Sequence, residues 1–354
     1  MKEEREDMKI LKYLLVFVPI SIVGEFMHFS PTVMFVLAAL AIIPLAGVMG
    51  MATEEIAYYS GPRIGGFLNA TFGNATELII AFFALKAGLF DVVKASLAGS
   101  VIGNTLMVLG LSMLVGGLKY KTQKFNKQSI EVSSSMLLFA VIGLTIPAIF
   151  TYTVPTELLN TRYEGLSIIV GVVMFAIYLM SLYFSFYTHK DIYAVKHEDA
   201  GTAKWSLKKA IMVLVGTTVF IAIESEFFIS AVEPMTEAIG LSEFFVGIIL
   251  VPLIGNAAEH STAIVMAHKN KMDVAVEIAI GSSLQIILFV TPILIFLSLL
   301  FTPMSIMFNM FELVALIVCV LIANRVASDG ESNWLEGVQL LAVYLIMAVC
   351  FFVL

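Results

Sequence analysis

Apolar runs of roughly 20 residues recur along the whole chain, separated by short polar breaks. A helix of that length crosses a hydrocarbon core about 30 Å thick. The pattern predicts eleven such helices, near residues 10–28, 32–52, 64–86, 92–116, 132–150, 164–187, 208–229, 242–267, 273–300, 304–324 and 333–353. The runs do not alternate like outer-membrane strands, which are only about 10 residues long, so a closed β-barrel is excluded. Pro44, Pro147, Pro252 and Pro292 lie inside the runs and, with many glycines, predict kinks and close helix contacts.

The longest polar connection, His189–Lys209, divides the chain. The expected organisation is residues 1–30 as tail and first helix, 31–188 as a five-helix repeat, 189–207 as a cytoplasmic connecting loop, and 208–354 as a second five-helix repeat. The charged start MKEEREDMK precedes the first run, and no small-residue cleavage site follows at Glu25–Ser30. The first run is therefore expected to stay as a membrane span.

Composition agrees with this picture. Hydrophobic residues make up 60% and charged residues 13%, against about 25% charge in soluble domains. The net charge of −7 says less than the placement of the cations. With the N-terminus inside, 17 of the 20 lysines and arginines fall on cytoplasmic segments, and only Lys86, Lys94 and Arg162 fall outside. That is a strong positive-inside bias. It predicts an integral protein of the cytoplasmic membrane with Leu354 outside. Cys319 and Cys350 lie in apolar runs and suggest neither a disulfide nor a metal cluster.

A repeat emerges at a constant offset of 182 residues. It carries Gly65 to Gly247, Gly73 to Gly255, Asn74 to Asn256 and Glu77 to Glu259. It also carries Asp91 to Asp273, Gly99 to Gly281 and Ser100 to Ser282. Spans 3–4 thus align with spans 8–9. Five spans separate the copies, and five is odd, so the second copy is inverted in the bilayer. The expected fold is all-α and polytopic, with a 1+5+5 plan of two inverted-topology repeats. Secondary transporters of this plan bind their ions where the repeats meet.

Glu77 falls near the middle of span 3 and Glu259 beyond the middle of span 8. A carboxylate at such depth costs about 2.5–3.5 kcal/mol on insertion scales. A proton or a bound cation compensates that cost. The paired acids therefore suit proton binding and metal binding in turn. Asn74 and Asn256 lie three residues earlier, on nearly the same helix face. Ser100 and Asn104 on span 4, with Ser282, Ser283 and Gln285 on span 9, complete a neutral, oxygen-bearing collar. Such a collar suits Ca²⁺, a hard ion that takes six to eight oxygens. Interhelical hydrogen bonding is the plain alternative for each collar residue.

Other polar residues are read more simply. Glu54 and Glu55 close span 2; Glu224, Glu226, Glu233 and Glu237 lie near the outer end of span 7. They read as interfacial charge that can gather cations at each mouth. His260 leaves its helix about 100° from Glu259, and a proton-relay role is left open. Glu312 on span 10 is a weaker buried-acid candidate, with a protonated packing group as the plain alternative.

The words GGFLNATFGNATEL and GIILVPLIGNAAEH resemble the paired signatures of the cation/proton exchanger (CAX) family, within the calcium/cation antiporter superfamily. GSVIGN at Gly99–Asn104 and GSSLQIILFVTP at Gly281–Pro292 are similar to that family's following helices. The resemblance runs from about Pro31 to the end. It implies eleven transmembrane helices, Ca²⁺/H⁺ antiport, and a shared cation and proton site at Glu77 and Glu259. It implies transport rather than enzyme chemistry, with Ca²⁺ and H⁺ as substrates and no cofactor. The bilayer is the expected partner; self-association is left open, and no nucleic acid is expected. The connecting loop lacks the long acidic run of some family members. A sodium-driven calcium exchanger shares the superfamily plan, and would carry more acidic ligands. A channel would need a continuous filter. A membrane hydrolase is disfavoured, with no HExxH pattern.

Overall fold

The computed structural model describes residues 13–153, 159–189, 192 and 203–354. The charged tail with Lys2, Arg5, Lys9 and Lys12, and most of the connecting loop 189–207, lie outside the described residues. The helices are α1 (Phe17–Phe26), α2 (Pro31–Phe72), α3 (Ala75–Lys86), α4 (Phe90–Lys119), α5 (Lys127–Thr153) and α6 (Leu159–Tyr183). The second half contributes α7 (Leu207–Ile239), α8 (Glu243–Gly255), α9 (Ala257–His268), α10 (Met272–Ser298), α11 (Met310–Val326) and α12 (Trp334–Val353). One short antiparallel pair, β1 (Gln123–Lys124) with β2 (Glu331–Ser332), joins two interhelical turns.

Seven of these helices are long and apolar enough to cross a membrane, and the bent pair α8–α9 makes an eighth. The remaining apolar segments are short or broken. In α1, Pro19 removes the amide that would bond Leu15, and the helix runs regularly only from Phe17. α2 is interrupted at Gly61, whose φ of +76° suits a residue without a Cβ.

Three of the helix ends that differ from the apolar pattern have a local reason. The first leg of α2 continues to Gly61 rather than 52, because the polar and aromatic Glu54, Glu55, Tyr58 and Tyr59 lower the hydropathy yet are compatible with a helix. α7 continues to Ile239 rather than 229, until Gly240 in the left-handed conformation stops it. α11 starts at Met310 rather than 304. Asn309 accepts the Glu312 amide and the Glu312 carboxylate accepts the Asn309 amide, a capping box that fixes the start.

The apolar interior has two parts. The large cluster surrounds α4 and α10, the most enclosed helices, and includes Val101, Leu106, Ile280 and Ile286. A second, smaller cluster joins α1, α2 and α7 through Val18, Ala41, Leu45, Met49, Ala52, Leu214 and Ile221. α2 and α7 pack on one another along much of their length. This pair flanks the central helices, and α7 also packs on α3, which carries Glu77.

Candidate functional site

Both signature segments break at the same place. Gly73–Asn74 separates α2 from α3, and Asn256 separates α8 from α9. Asn74 (φ −103°, ψ 17°) and Asn256 (φ −92°, ψ 5°) adopt nearly one conformation, in the sparsely allowed bridge region. The chain bends by 61° between α8 and α9. Each asparagine therefore stands at the head of a new helix, where its side chain would ordinarily cap the first turn. Neither does so.

The asparagines instead reach across to the opposite repeat. Asn74 Oδ1 accepts from Ser282 Oγ at 3.2 Å, and Asn74 Nδ2 donates to Gln285 Oε1. Asn256 Nδ2 donates to Ser100 Oγ at 3.3 Å, and also to the Pro252 carbonyl at 3.0 Å. Ser100 and Ser282 are themselves related by the 182-residue offset, so the same residue pair meets twice, with the serine donating in one copy and the asparagine in the other.

The glutamates follow the same exchange. Glu77 and Glu259 each sit in the first turn of a helix, three residues past the break. There the helix dipole favours a negative group. A Cβ on Gly255 would lie 3.3 Å from Glu77 Cγ, and one on Gly73 would lie 3.1 Å from Glu259 Oε1. Each carboxylate thus rests against the signature glycine of the other repeat. Both Glu77 oxygens, Glu259 Oε2 and Asn256 Oδ1 are buried with no protein hydrogen-bond partner. Buried oxygens left unpaired are costly, and four of them here converge on one place. A small cavity beside Glu77 is lined by Ser96, Ser100 and Pro252.

The residues singled out on the sequence come together here, except Ser283. Its hydroxyl turns back to the Ala279 carbonyl of its own helix. Asn104 is reached through His260: Nε2 and Asn104 Oδ1 are 3.0 Å apart, and both residues are buried. His260 thus belongs to the collar, although sequence position gave it little weight. The roles of Gly73 and Gly255 were also missed, although both stand in the repeated words. Among the described residues no group of three or more His, Cys, Asp or Glu side chains gathers.

The outlying acids have local tasks. Glu55 Oε2 accepts the amides of Lys204 and Trp205, at 2.8 and 2.9 Å, just before α7. Asp91 pairs with Lys94 at 2.9 Å, whereas Asp273 accepts the Asn126 amide. Glu224 departs most from expectation: it is fully buried, because the longer α7 places it near mid-helix.

The chain is similar to known proteins over nearly its whole length. A family model described as sodium/calcium exchanger protein matches residues 30–187 and 209–353. The chain is 47% identical to the Ca²⁺/H⁺ antiporter ChaA of Bacillus subtilis (strain 168), over 95% of this chain and 97% of that one. It is 46% identical to a Ca²⁺/H⁺ antiporter of Aphanothece halophytica, over 96% and 95% of the two chains. Among solved structures, native YfkE superposes with a TM-score of 0.85 at 44% identity, covering 97% of this chain and all of that one.

Proposed function

Because the chain belongs to the sodium/calcium exchanger protein family, we propose that it is a secondary antiporter that exchanges Ca²⁺ for H⁺ across the cytoplasmic membrane. Its relatives at 46–47% identity are Ca²⁺/H⁺ antiporters over nearly their full length. The observation that carries the reading is the reciprocal pair: Glu77 and Glu259, each lodged against the other repeat's glycine. In this reading the full plan is eleven helices as 1+5+5, with the N-terminus inside, the C-terminus outside, and repeats at 31–188 and 208–354.

Ca²⁺ is the cargo, and the donor set fits it. Two carboxylates neutralise one divalent ion. Carbonyl and hydroxyl oxygens of Asn74, Asn256, Ser100 and Ser282 supply neutral ligands or hold the acids in place, as Ca²⁺ prefers. Gln285 and Asn104 steady the asparagine and histidine around them. The same two acids take protons when the ion leaves. A proton and a calcium ion therefore compete, and apparent Ca²⁺ affinity falls as pH falls on the loading side.

Two like charges enclosed without a partner cannot cross the membrane cheaply. Only the metal-loaded or protonated pair rearranges, so the two flows are tied together. One end of the pair α2–α7 shares a small apolar cluster with α1, while its other end, through Phe35, Ile42, Phe228 and Met235, joins the large cluster around α4 and α10. An inward proton gradient then drives Ca²⁺ export. Two protons per Ca²⁺ leave the cycle electroneutral; a third would couple it to voltage by about 2.3 kcal/mol per charge per 100 mV.

The experiment is Ca²⁺ uptake into sealed vesicles, with pH and Na⁺ gradients imposed in turn. A pH gradient should drive uptake and a Na⁺ gradient at fixed pH should not. Glu77→Gln and Glu259→Gln should each abolish it; near-normal uptake in either variant overturns the assignment.

A further inference from the structure

One ionisable side chain at the helix interfaces is not used by exchange at Glu77 and Glu259. Glu224 lies near the middle of α7 with no exposed surface, between the buried Ile221 and Phe228. Its Oε1 is 2.6 Å from Ser21 Oγ on α1. The same Ser21 Oγ is 2.8 Å from the Val18 carbonyl. Glu224 Oε2 and the adjacent Ser225 Oγ are buried with no protein hydrogen-bond partner.

A serine hydroxyl has one proton to give. The Val18 carbonyl can only accept. If Glu224 were ionised, two acceptors would compete for that single proton, and one short contact would join two lone pairs. A neutral carboxyl removes the conflict. Its own O–H donates to Ser21 Oγ, and Ser21 donates to Val18.

The charged groups on neighbouring elements fit a neutral side chain. α1 offers Glu25, followed by His28; α2 offers Glu54 and Glu55; α3 offers Glu77 and Lys86; α8 offers Glu243. On α7 itself stand Lys208, Lys209, Glu226, Glu233 and Glu237. Lys86 pairs with Glu226 at 3.5 Å, and Lys209 lies 4.6 Å from the centre of the Trp205 ring. Among the described residues no ion pair reaches Glu224. A buried carboxylate with neither cation nor donor of its own is the costly form.

We propose that Glu224 is a second proton-binding site. Its neutral carboxyl clasps α1 to α7 through Ser21, and loss of that proton opens the clasp and frees α1 from the α2–α7 pair. The ligand is a proton, and the site is separate from the exchange centre. The proposal therefore stands or falls independently of the assignment of Glu77 and Glu259.

The test uses the full chain in lipid nanodiscs. The infrared difference between wild type and Glu224→Gln at neutral pH should contain the carbonyl stretch of one protonated carboxylic acid that the variant lacks, beside any band that Glu77 and Glu259 give in both. Ser21→Ala should move that band to higher frequency, as the acid loses its acceptor. Spin labels at the exposed positions Val23 and Val219, in a Cys350→Ser background, should report α1 moving away from α7 as pH rises. In Glu224→Gln, which stays neutral and can still donate, the distance should not change with pH. The absence of the acid band from that difference, or identical distance curves for the two proteins, overturns the proposal. Should Glu224→Gln fail to fold, Ser21→Ala decides alone, and an unmoved band overturns it.

Discussion

Gly99 on α4 and Gly281 on α10 occupy equivalent positions in the two repeats, yet their surroundings are opposite. A Cβ on Gly99 would overlap the Ile248 carbonyl of α8, whereas one on Gly281 would meet nothing within 4 Å. The residue equivalent to Ile248 in the first repeat is Gly66. So α4 is closed onto α8, and its counterpart α10 is not closed onto the second leg of α2. Near the open side, Ser261 and Thr262 on α9 are exposed, while the equivalent Ile79 and Ile80 on α3 are half-buried and buried. The sequences are near copies, but the structure is one-sided. In an inverted repeat such asymmetry is what opens one face and shuts the other. With the proposed orientation, Gly99 lies in the outer half and Gly281 in the inner half, so the conformation is open to the cytoplasm.

At the centre itself the copies match, and there the largest effects are expected together. Glu77→Gln and Glu259→Gln each leave one charge of a divalent ion unneutralised. At membrane depth that costs about 2.5–3.5 kcal/mol, or about 100-fold in Ca²⁺ binding. Equilibrium Ca²⁺ binding to the purified variants should fall by that factor in both. A loss confined to one of them would mean that the acids do not share the ion.

The glycines should separate where the acids coincide. Gly99→Ala cannot be accommodated while α4 and α8 touch, since its neighbour is backbone. Overpacking of this kind costs about 1–3 kcal/mol, and the chain can relieve it by parting the two helices. Gly99→Ala should therefore shift the population towards the outward-open form by about 5- to 150-fold. Gly281→Ala meets no obstacle here, but would meet α2 once the repeats exchange roles. It should fold normally, hold the inward-open form and slow turnover while Ca²⁺ still binds. Labelling of Ser261→Cys from the cytoplasmic side reads both: reduced by the first variant, preserved or raised by the second. Equal labelling in the two would break the comparison.

Much of this was legible in the sequence because the repeat is ungapped. A constant offset brought Glu77, Asn74 and Ser100 into register with their partners, and the helix-long apolar runs announced the membrane. The sequence could not say that each asparagine bonds the other repeat's serine, because that contact depends on how two inverted copies interlock. Nor could it place Glu224. Hydropathy falls over Glu224–Glu237, which puts the expected end of the run near 229 and Glu224 close to it, whereas backbone bonding carries α7 on to Ile239. The start of α11 was hidden for the converse reason: Met304–Phe308 is apolar, but the capping box holds the helix start to Met310.

The asparagines test a finer difference. Asn74 binds two side chains of α10, Ser282 and Gln285, whereas Asn256 binds one side chain, Ser100, and the carbonyl of its own turn. Removing a partner from a buried polar group costs about 1–3 kcal/mol. Asn74→Ala strands two groups and Asn256→Ala strands one on the opposite repeat. Apparent Ca²⁺ affinity should fall about tenfold or more in Asn74→Ala, and by less in Asn256→Ala. The reverse order would show that Asn256 Oδ1, which has no protein partner, is the more important cation ligand.

The smallest effect is expected where the copies differ in chemistry. His260 aligns with Leu78, and Asn104 aligns with Ile286, so one repeat has a hydrogen bond where the other has an apolar contact. The apolar version is evidently compatible with the same helix break. His260→Leu should therefore fold, and should lower apparent Ca²⁺ affinity by about fivefold, the worth of one hydrogen bond of about 1 kcal/mol. His260→Gln can still meet Asn104 Oδ1 and should recover most of that loss. If His260 only orients Asn104, the pH dependence of uptake keeps its shape in both variants. A profile that moves in His260→Leu and is not restored by His260→Gln would instead make the histidine a carrier of exchanged protons, and the two repeats would then divide the work unequally.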